Sequence, residues 1–266
     1  MSVLATSQLF RLEGRIAFVS GAAGHLGRAM ALALAQSGAH VIVNGRNRKT
    51  LEELVVDIER AKGSAETAVF DVGDLEAART FFAARPRLDI LVNNAIAMTP
   101  KPFDSLQDSD FEQTYRSGVV APFEMARAAL PALRAAARDA GEASIVNISS
   151  MYGAVSPDSR IYARPEQASP FHYGPAKAAL LQLTRHLAAE FAKDRIRVNA
   201  LVPGPFPRDS VQKADPQFAE RLAGRTMLGR AARADEIRGP LLFLASPASS
   251  FVTGAALAVD GGWTAW

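Results

Sequence analysis

The sequence predicts an α/β fold: a single-domain, doubly wound parallel sheet with helices on both faces. Short apolar runs alternate with longer helix-like stretches along most of the 266 residues, which is typical of parallel strands joined by helices. Crossovers between parallel strands are right-handed, and this requirement places helices on both faces of the sheet. No linker, repeat or shift in composition interrupts the pattern, so we expect residues 1–266 to form one domain.

The first predicted unit is a strand, a glycine-rich turn and a helix. An apolar run over 15–20 leads into the turn Gly21–Gly27, and an Ala/Leu-rich helix continues to about Ser37. Gly38 ends this helix, because glycine readily adopts the backbone conformation that closes a helix. The later elements repeat the alternation: strands are expected over 40–44, 65–70, 88–92, 143–148 and 196–202, and helices over 49–61, 74–84, about 109–137 and 173–192.

Composition and charge exclude several classes of site. The absence of cysteine excludes disulfides and cysteine-based metal sites or nucleophiles. The four scattered histidines lack zinc-binding spacing, so we expect no metal. A net charge of +3 from scattered basic residues predicts no nucleic-acid partner. No apolar run reaches the length of a membrane span and no signal peptide is recognisable, so we expect a cytoplasmic protein without a membrane partner.

The glycine-rich turn stands where a bound dinucleotide needs it, after the first strand and at the start of the first helix. Small residues let the backbone approach a pyrophosphate, and the helix N-terminus supplies N–H donors and a favourable dipole. A tight turn in any α/β protein could show the same glycines. The β-α-β context, with a later strand that ends in Asn93-Asn94-Ala95, favours cofactor binding, so we predict a Rossmann-type fold.

Tyr173 and Lys177 form the predicted catalytic pair. They are four residues apart at the start of a long apolar helix, so their side chains lie one turn apart on the same face. A free tyrosine has a pKa of about 10, and we expect the nearby ammonium to lower it and make Tyr173 a general acid or base. A strand-like run ending at Ser150 precedes the pair. Tyr162 is a rival base, but Glu166 stands four residues after it instead of a lysine.

The order of these motifs resembles the short-chain dehydrogenase/reductase family in its single-domain form, from about Leu12 to Gly262. His25 departs from this resemblance by replacing the middle glycine of the turn, and Ile96 departs by replacing the glycine of Asn-Asn-Ala-Gly. The matching segments are Ser20–Gly27, Phe70-Asp71-Val72, Asn93–Ile96, Ser150 with Tyr173 and Lys177, Arg197–Gly204, and Val259-Asp260-Gly261-Gly262.

The resemblance implies a mechanism and a set of binding residues. Tyr173 would exchange a proton with the substrate oxygen while a hydride moves between the substrate carbon and the nicotinamide. Lys177 would hold the nicotinamide ribose hydroxyls, and Ser150 would orient the carbonyl or alcohol. The implied cofactor-binding residues are Ser20, Gly21, Ala23, His25, Leu26, Gly27, Arg46, Asp71 (at the adenine), Val72, Asn93, Ala95, Tyr173, Lys177, Pro203, Gly204 and Phe206.

The end of the second strand predicts the choice of cofactor. Selection of NAD usually takes an acidic residue there, which holds the ribose hydroxyls. This chain has Asn44-Gly45-Arg46-Asn47 instead, and the guanidinium of Arg46 suits a 2′-phosphate. Gly24 leaves the glycine-rich turn without a second basic residue. We therefore predict NADP as the cofactor, with NAD possible.

The segment between Ser150 and Tyr173 is roughly ten residues longer than is usual in the family, and long loops often carry function. A solvated surface excursion is an equally good interpretation. Its length and its Met151–Gly153 start resemble sugar-acid dehydrogenases such as the gluconate 5-dehydrogenases. Residues 205–225 are expected to form a substrate flap. The candidate substrate contacts in the longer segment are Tyr152, Arg160, Tyr162, Arg164 and His172.

The predicted function is an NADP-linked oxidoreductase acting on a small-molecule carbonyl or secondary alcohol. A dinucleotide-binding regulatory or scaffold protein is the alternative from another class, and a dehydratase or epimerase is a third. Gly118 stands where the family usually places an asparagine that holds a water of the proton relay, which keeps the regulatory alternative open. We expect an active enzyme with an altered relay, in which Gly118→Asn raises turnover or shifts its pH dependence.

Two long helices predict the quaternary structure. The helices over 109–137 and 173–192 are apolar on more than one face, and such a helix must be covered by more than its own sheet. Relatives pack these helices against a second subunit, which predicts a homotetramer. Burial beneath loops of the same chain is the alternative.

Overall fold

Within residues 5–163 and 168–266, which the computed structural model describes, seven strands form one parallel sheet in the order β3-β2-β1-β4-β5-β6-β7. The chain runs outward from β1 in one direction and then returns to start again at β4, so the strand order reverses between these two strands. Ligands of such sheets bind beside this switch point, at the carboxyl ends of the strands. The strands are β1 (Ile16–Val19), β2 (His40–Gly45), β3 (Ser64–Val69), β4 (Ile90–Asn93), β5 (Ala143–Ile148), β6 (Ile196–Pro203) and β7 (Ala256–Val259).

Helices cover both faces of the sheet and form two cores. Helices α1, α2 and α9 pack on one face, with Leu34 and Leu241 fully buried there. Helices α3, α5 and α6 pack on the other, where Leu133 is fully buried. The helices are α1 (His25–Gln36), α2 (Arg48–Arg60), α3 (Leu75–Ala83), α4 (Asp108–Tyr115), α5 (Ala121–Ala140), α6 (Tyr173–Phe191), α7 (Asp209–Ala214), α8 (Pro216–Ala223) and α9 (Arg238–Ala245).

The central strands explain why the fold class was readable from the sequence. Every residue of β5 and of β6 is buried, because helices lie on both sides of them, and such strands are continuous apolar runs. The predicted doubly wound parallel sheet is confirmed. The sequence pattern did not predict α9 and β7, because their apolar runs near the C-terminus are too short to show a clear periodicity.

The predicted helix over 109–137 is two helices joined by a π-helical turn, Arg116–Val120. Pro122 stands at the start of α5 and has no N–H to donate to the carbonyl four residues earlier, which belongs to Gly118. This interruption favours the wider turn. The π-helical turn matters for function because Ser117 and Gly118 within it are both buried.

The described part of the chain contains no helix that combines the length and the apolar character needed to cross a membrane.

Candidate active site

Ser150, Tyr173 and Lys177 lie together where β5 ends and α6 begins. Strand β5 ends at Ile148, two residues before Ser150, and α6 starts at Tyr173. Ser150 and Lys177 are only 6% and 3% exposed, while Tyr173 is partly buried. The Ser150 side chain lies close enough to Tyr173 to lower the pKa of its phenol in part. The structure therefore brings the three predicted catalytic side chains into one place.

Two glycines allow the turn after β5 to lie directly against α6. A Cβ atom at Gly153 would stand 2.9 Å from the Lys177 carbonyl oxygen, and one at Gly174 would stand 2.9 Å from the Tyr152 carbonyl oxygen. Both separations are shorter than side-chain atoms tolerate, so neither position accepts a side chain without movement. The Ser149 hydroxyl adds a hydrogen bond of 2.9 Å to the Lys177 carbonyl. This close packing fixes the distance between β5 and the catalytic turn of α6.

Lys177 is a buried cation with a single hydrogen-bond partner among the described residues. Its ammonium donates to the Ile148 carbonyl at 2.6 Å and lies 5.6 Å from the centre of the Tyr173 ring. Burial lowers the pKa of Lys177 to about 8, because a low-dielectric environment disfavours the charged form.

The structure corrects the expectation for Tyr173. Burial raises the pKa of its phenol, and the Ser150 side chain lowers the pKa only in part. The expected lowering by Lys177 does not occur in the cofactor-free protein, because the Lys177 ammonium is directed to the Ile148 carbonyl. Tyr173 is therefore held as a neutral phenol, which is a proton donor.

A cavity of about 440 Å³ opens at the switch point between β1 and β4. Of the predicted cofactor residues, it is lined by Gly21, Ala23, Arg46, Asp71, Val72 and Ala95. Further residues that line the cavity were not among the predicted cofactor-binding residues: Gly24, Asn44, Gly45, Asn47, Thr50, Phe70, Asn94, Ile96, Ala97, Ser117 and Arg208. Asn47 had a readable signal, because its side chain caps α2 by accepting from the Thr50 N–H. Arg208 had none beyond its place in the expected flap.

The glycine-rich turn fits a pyrophosphate. A Cβ atom at Gly27 would stand 2.2 Å from the Gly21 carbonyl oxygen, so only glycine lets the turn close over the start of α1. Gly21 itself has a φ of 62°, which glycine adopts at little cost. The Nε2 atom of His25 is buried and has no hydrogen-bond partner within residues 5–163 and 168–266. Burial, and then the neighbouring Arg208, lower the pKa of His25, so an anion at this helix N-terminus would relieve a local excess of positive potential.

Ser20 and Asn93, which were predicted to bind the cofactor, instead support the site. The Ser20 hydroxyl accepts from the N–H groups of Asn94 and Ala95 at 2.9 and 3.1 Å and so ties β1 to the end of β4. The Asn93 amide donates to the Asn147 side chain at 2.9 Å. Both side chains are buried, at 2% and 4% exposure, and cannot contact a ligand without rearrangement.

His25, Gly27, Tyr173 and Lys177 also lie outside the lining of this cavity, as do four other predicted cofactor residues. Leu26 and Phe206 pack against the core of the α1 face. Pro203 is buried at the end of β6. A Cβ atom at Gly204 would stand 2.5 Å from the Asp260 Cα atom, so Gly204 brings the end of β6 against the C-terminal Asp260-Gly261-Gly262 turn.

Comparison with known proteins identifies the family. The family model described as enoyl-(acyl carrier protein) reductase matches residues 21–264. Gluconate 5-dehydrogenase of Gluconobacter oxydans (strain 621H) is 36% identical, over 96% of this chain and 97% of that protein. The chain belongs to the short-chain dehydrogenase/reductase family. It is accordingly an NAD(P)-dependent oxidoreductase.

Two more relatives illustrate the range of this family. Galactitol 2-dehydrogenase (L-tagatose-forming) of Cereibacter sphaeroides is 39% identical, over 97% of this chain and 98% of that protein. The crystal structure of a gluconate 5-dehydrogenase from Burkholderia cenocepacia J2315, in complex with NADP and tartrate, is 31% identical and superimposes with a TM-score of 0.85. It covers 98% of this chain and 100% of that chain.

In the present chain, the long segment between Ser150 and Tyr173 places two of the predicted substrate residues together. The hydroxyls of Tyr152 and Tyr162 are 2.8 Å apart, and burial raises the pKa of both side chains. Around them, Met151, Ile161, Phe218, Leu222 and Trp263 form a small apolar cluster. The Tyr152 N–H donates to the Ser150 hydroxyl at 3.2 Å, so Tyr152 lies beside the predicted catalytic residues.

The other predicted substrate residues are placed differently. Arg160 is 82% exposed and makes a 2.8 Å ion pair with Asp158, so its charge is already neutralised at the surface. His172 is 0% exposed and lies 2.8 Å from the Thr114 hydroxyl, so it does not face an open substrate site. Arg164, and the Glu166 that argued against Tyr162 as a base, lie outside the described residues.

The expected flap contacts the long segment, although the two are far apart in sequence. Arg221 donates to the Ile161 carbonyl at 2.7 Å, and Arg225 lies 3.5 Å from Asp158. The Tyr162 and Phe218 rings are 5.8 Å apart. Residues 216–225 and the long segment therefore form one wall next to Tyr152.

The buried charge of Lys177 predicts that Lys177→Met stabilises the cofactor-free protein. Its lowered pKa corresponds to about 3 kcal/mol of burial cost, and loss of the hydrogen bond to Ile148 offsets about 1 kcal/mol of the gain. We expect a net gain of about 2 kcal/mol in urea unfolding at pH 7. Since the folded pKa lies below the unfolded one, the gain is full below pH 8 and shrinks as the pH rises toward the unfolded value.

Lys193→Met, which changes an exposed lysine, is the control for this experiment and should stay within about 0.5 kcal/mol of the wild type. A Lys177→Met protein that is no more stable than the wild type at pH 7, or whose gain is the same at high pH, would contradict the assigned burial cost.

Proposed function

We propose that this protein interconverts a secondary alcohol and its carbonyl compound with NADP, with Tyr173 as the general acid or base. The observation that carries the proposal is the grouping of Ser150, Tyr173 and Lys177 at the junction of β5 and α6. Each side chain supplies one of the functions that the reaction needs: a proton, an orienting hydrogen bond and a fixed positive charge.

The nicotinamide supplies or accepts the hydride when it is bound, and the side chains of this protein handle the proton. In the direction of reduction, the neutral phenol of Tyr173 donates its proton to the developing substrate oxyanion. Ser150, whose side chain lowers the pKa of Tyr173 in part, donates to the same oxygen and orients it. Lys177 would hold the ribose hydroxyls, and its ammonium, turned from the Ile148 carbonyl toward Tyr173, would stabilise the phenolate that forms there. Tyr173 carries its proton at neutral pH, as its donor role in the direction of reduction requires.

The direct test of the activity is incubation of the protein with NADPH and a panel of ketones, ketoses and keto acids. Consumption of NADPH with any of them supports the proposal. NADPH binding without turnover across the panel would instead favour the regulatory alternative.

Replacement of Tyr173 by Phe keeps the ring and removes the proton, so we predict that kcat falls about 100-fold or more. NADPH should still bind, as measured by fluorescence titration. Tyr115→Phe is the matched control, because Tyr115 lies in α4 and outside the lining of the cavity, and we expect its kcat within about 10-fold of the wild type. Near-normal turnover by Tyr173→Phe would rule out Tyr173 as the acid or base.

Arg46 supports NADP as the preferred cofactor. Its side chain is 75% exposed at the rim of the cavity, beside Asn47 and Thr50, and no carboxylate ends β2. Asp71 lies 3.6 Å from the guanidinium, but an exposed ion pair of this kind is weak and yields readily to a 2′-phosphate. The related gluconate 5-dehydrogenase of Burkholderia cenocepacia was crystallised with NADP, which agrees with this proposal.

Arg46→Ala should weaken NADPH binding about 10- to 100-fold, the range expected for loss of a hydrogen bond to a charged group. NADH, which lacks the 2′-phosphate, should bind within about twofold of its original affinity. Arg48→Ala is the control, because Arg48 pairs with Glu52 and lies outside the cavity lining. Isothermal titration that gives the wild type a higher affinity for NADH than for NADPH would refute the preference.

The substrate that the site suits best is a polyhydroxylated ketone or alcohol. The Tyr152–Tyr162 pair presents hydroxyl groups beside Tyr173, and each hydroxyl can donate or accept a hydrogen bond. Relatives named for gluconate and galactitol support a sugar-derived substrate. Arg160 contributes little to this proposal, because its charge is paired with Asp158.

We further propose a cytoplasmic homotetramer, one domain per chain, with residues 205–225 as the flap. Most apolar residues of α6, including Leu180, Leu187 and Phe191, are buried by their own chain, so they do not support the tetramer. The support comes from Val120 and Phe123, which are 42% exposed beside and within α5, and from the exposed Ala178 of α6.

Light scattering at micromolar protein should give the mass of four chains if the tetramer is correct. Phe123→Ser, which removes an exposed apolar side chain, should lower that mass, because contacts between copies lose an apolar anchor. A monomer for the wild type would remove the tetramer from the proposal.

A further inference from the structure

The segment that follows β4 lies against the π-helical turn Arg116–Val120 through an apolar side chain. Ile96 lines the cofactor cavity, and its side chain lies over Gly118 in the π-helical turn. A Cβ atom added at Gly118 would stand 3.0 Å from Ile96 Cδ1 and 3.9 Å from the Cβ atom of Ala176. Ala176 lies in α6 between Tyr173 and Lys177. The notch at Gly118 therefore receives the Ile96 side chain next to the catalytic turn.

Hydrogen bonds also connect the segment after β4 to the start of α6, alongside the contact between Ile96 and Gly118. The Ala97 N–H donates to the Ser117 hydroxyl at 2.9 Å, and the Thr114 hydroxyl lies 3.2 Å from the Ala97 carbonyl. The same Thr114 hydroxyl lies 2.8 Å from Nδ1 of His172. A single hydroxyl proton can serve Ala97 when His172 carries its own proton on Nδ1. Thr114 and His172 are both 0% exposed, so water does not compete for these bonds.

His172 connects this chain to the catalytic residue. It immediately precedes Tyr173 and is the N-cap residue of α6. Its ring also packs edge-on against Phe111, with ring centres 5.8 Å apart. A shift of Ala97 is therefore transmitted through Thr114 to the backbone position from which Tyr173 projects.

We propose that these contacts form a joint through which the floor of the cofactor cavity positions Tyr173. The floor joint consists of Ile96, Ala97, Thr114, Gly118 and His172, and it rests on the proposed role of Tyr173. Ile96 and Gly118 are a matched pair within it, since a Cβ atom at position 118 would stand 3.0 Å from Ile96 Cδ1 and one of the two would have to shift. The π-helical turn presents Ser117 and Gly118 to the floor together, as such turns often do at functional sites.

The floor joint changes the expectation for Gly118→Asn. An asparagine side chain would begin with a Cβ atom 3.0 Å from Ile96 Cδ1, which is tighter than most real contacts. The substitution alone would therefore push Ile96 and the cavity floor before its amide could hold a water. The two departures from the family pattern, at positions 96 and 118, are thus one structural feature.

A double-mutant cycle tests the floor joint. Gly118→Ala adds the single Cβ atom, and Ile96→Val removes the Cδ1 atom that it would meet. We expect Gly118→Ala to lower kcat about 10-fold, since small displacements of a catalytic group are costly, with NADPH affinity within about threefold of the wild type. In the Ile96→Val background, Gly118→Ala should have little further effect, so the double variant should match the rate of Ile96→Val.

Hydrogen exchange supplies a readout that does not depend on turnover. NADPH should slow amide exchange over residues 173–177 in the wild type, because the floor joint links the occupied cavity to the start of α6. Gly118→Ala should abolish this effect, and the double variant should recover it. Equal effects of Gly118→Ala on kcat and exchange in both backgrounds, or no effect in either, would overturn the proposal.

Thr114 provides a second arm if Gly118→Ala does not fold. Thr114→Val removes the hydroxyl at nearly constant volume and should lower kcat about 10-fold and abolish the NADPH-dependent exchange effect. Thr114→Ser retains the hydroxyl and should keep both. If Thr114→Val behaves as Thr114→Ser does, the hydrogen-bonded part of the joint is wrong. Wild-type turnover and Tyr173→Phe are measured first, so a failure of the proposed function appears there, while hydrogen exchange still tests the joint.

Discussion

The close approach of the turn after β5 to helix α6 is the constraint on which the active site depends. Gly153 and Gly174 face the backbone of the opposite element at distances that leave no room for a Cβ atom. The contact places Ser150, at the end of a fully buried strand, next to the first turn of α6. Strand β5 lies between β4 and β6 in the interior of the sheet. The packed core therefore fixes the relative positions of Ser150 and Tyr173.

This packing has an electrostatic cost. It buries the ammonium of Lys177 without a carboxylate partner in the described part of the chain and lowers its pKa to about 8. The same burial raises the pKa of Tyr173. Functional sites commonly place ionisable groups in environments that lower the stability of the folded protein. The chain tolerates this cost because the surrounding strands and helices fix the backbone independently of these two side chains.

Three segments that are distant in sequence meet around Tyr173. The segment after β4 reaches it through Thr114 and His172, and the long segment after β5 reaches it through Tyr152. Residues 216–225 contact the long segment through Arg221, which donates to the Ile161 carbonyl. Under the proposed function, these contacts would let occupancy of the cofactor cavity and of the substrate side both act on Tyr173.

The sequence by itself determined the alternation of strands and helices, the glycine-rich turn and the positions of Ser150, Tyr173 and Lys177, because these follow from local periodicity, glycine geometry and helical spacing. Only the tertiary structure decided the environment of each side chain. It buried Ser20, Asn93 and His172 in hydrogen bonds, paired Arg160 with Asp158, and directed Lys177 to the Ile148 carbonyl. It also set Ile96 against Gly118. Burial and pairing depend on contacts between residues far apart in the chain, and no local pattern encodes which of them will meet.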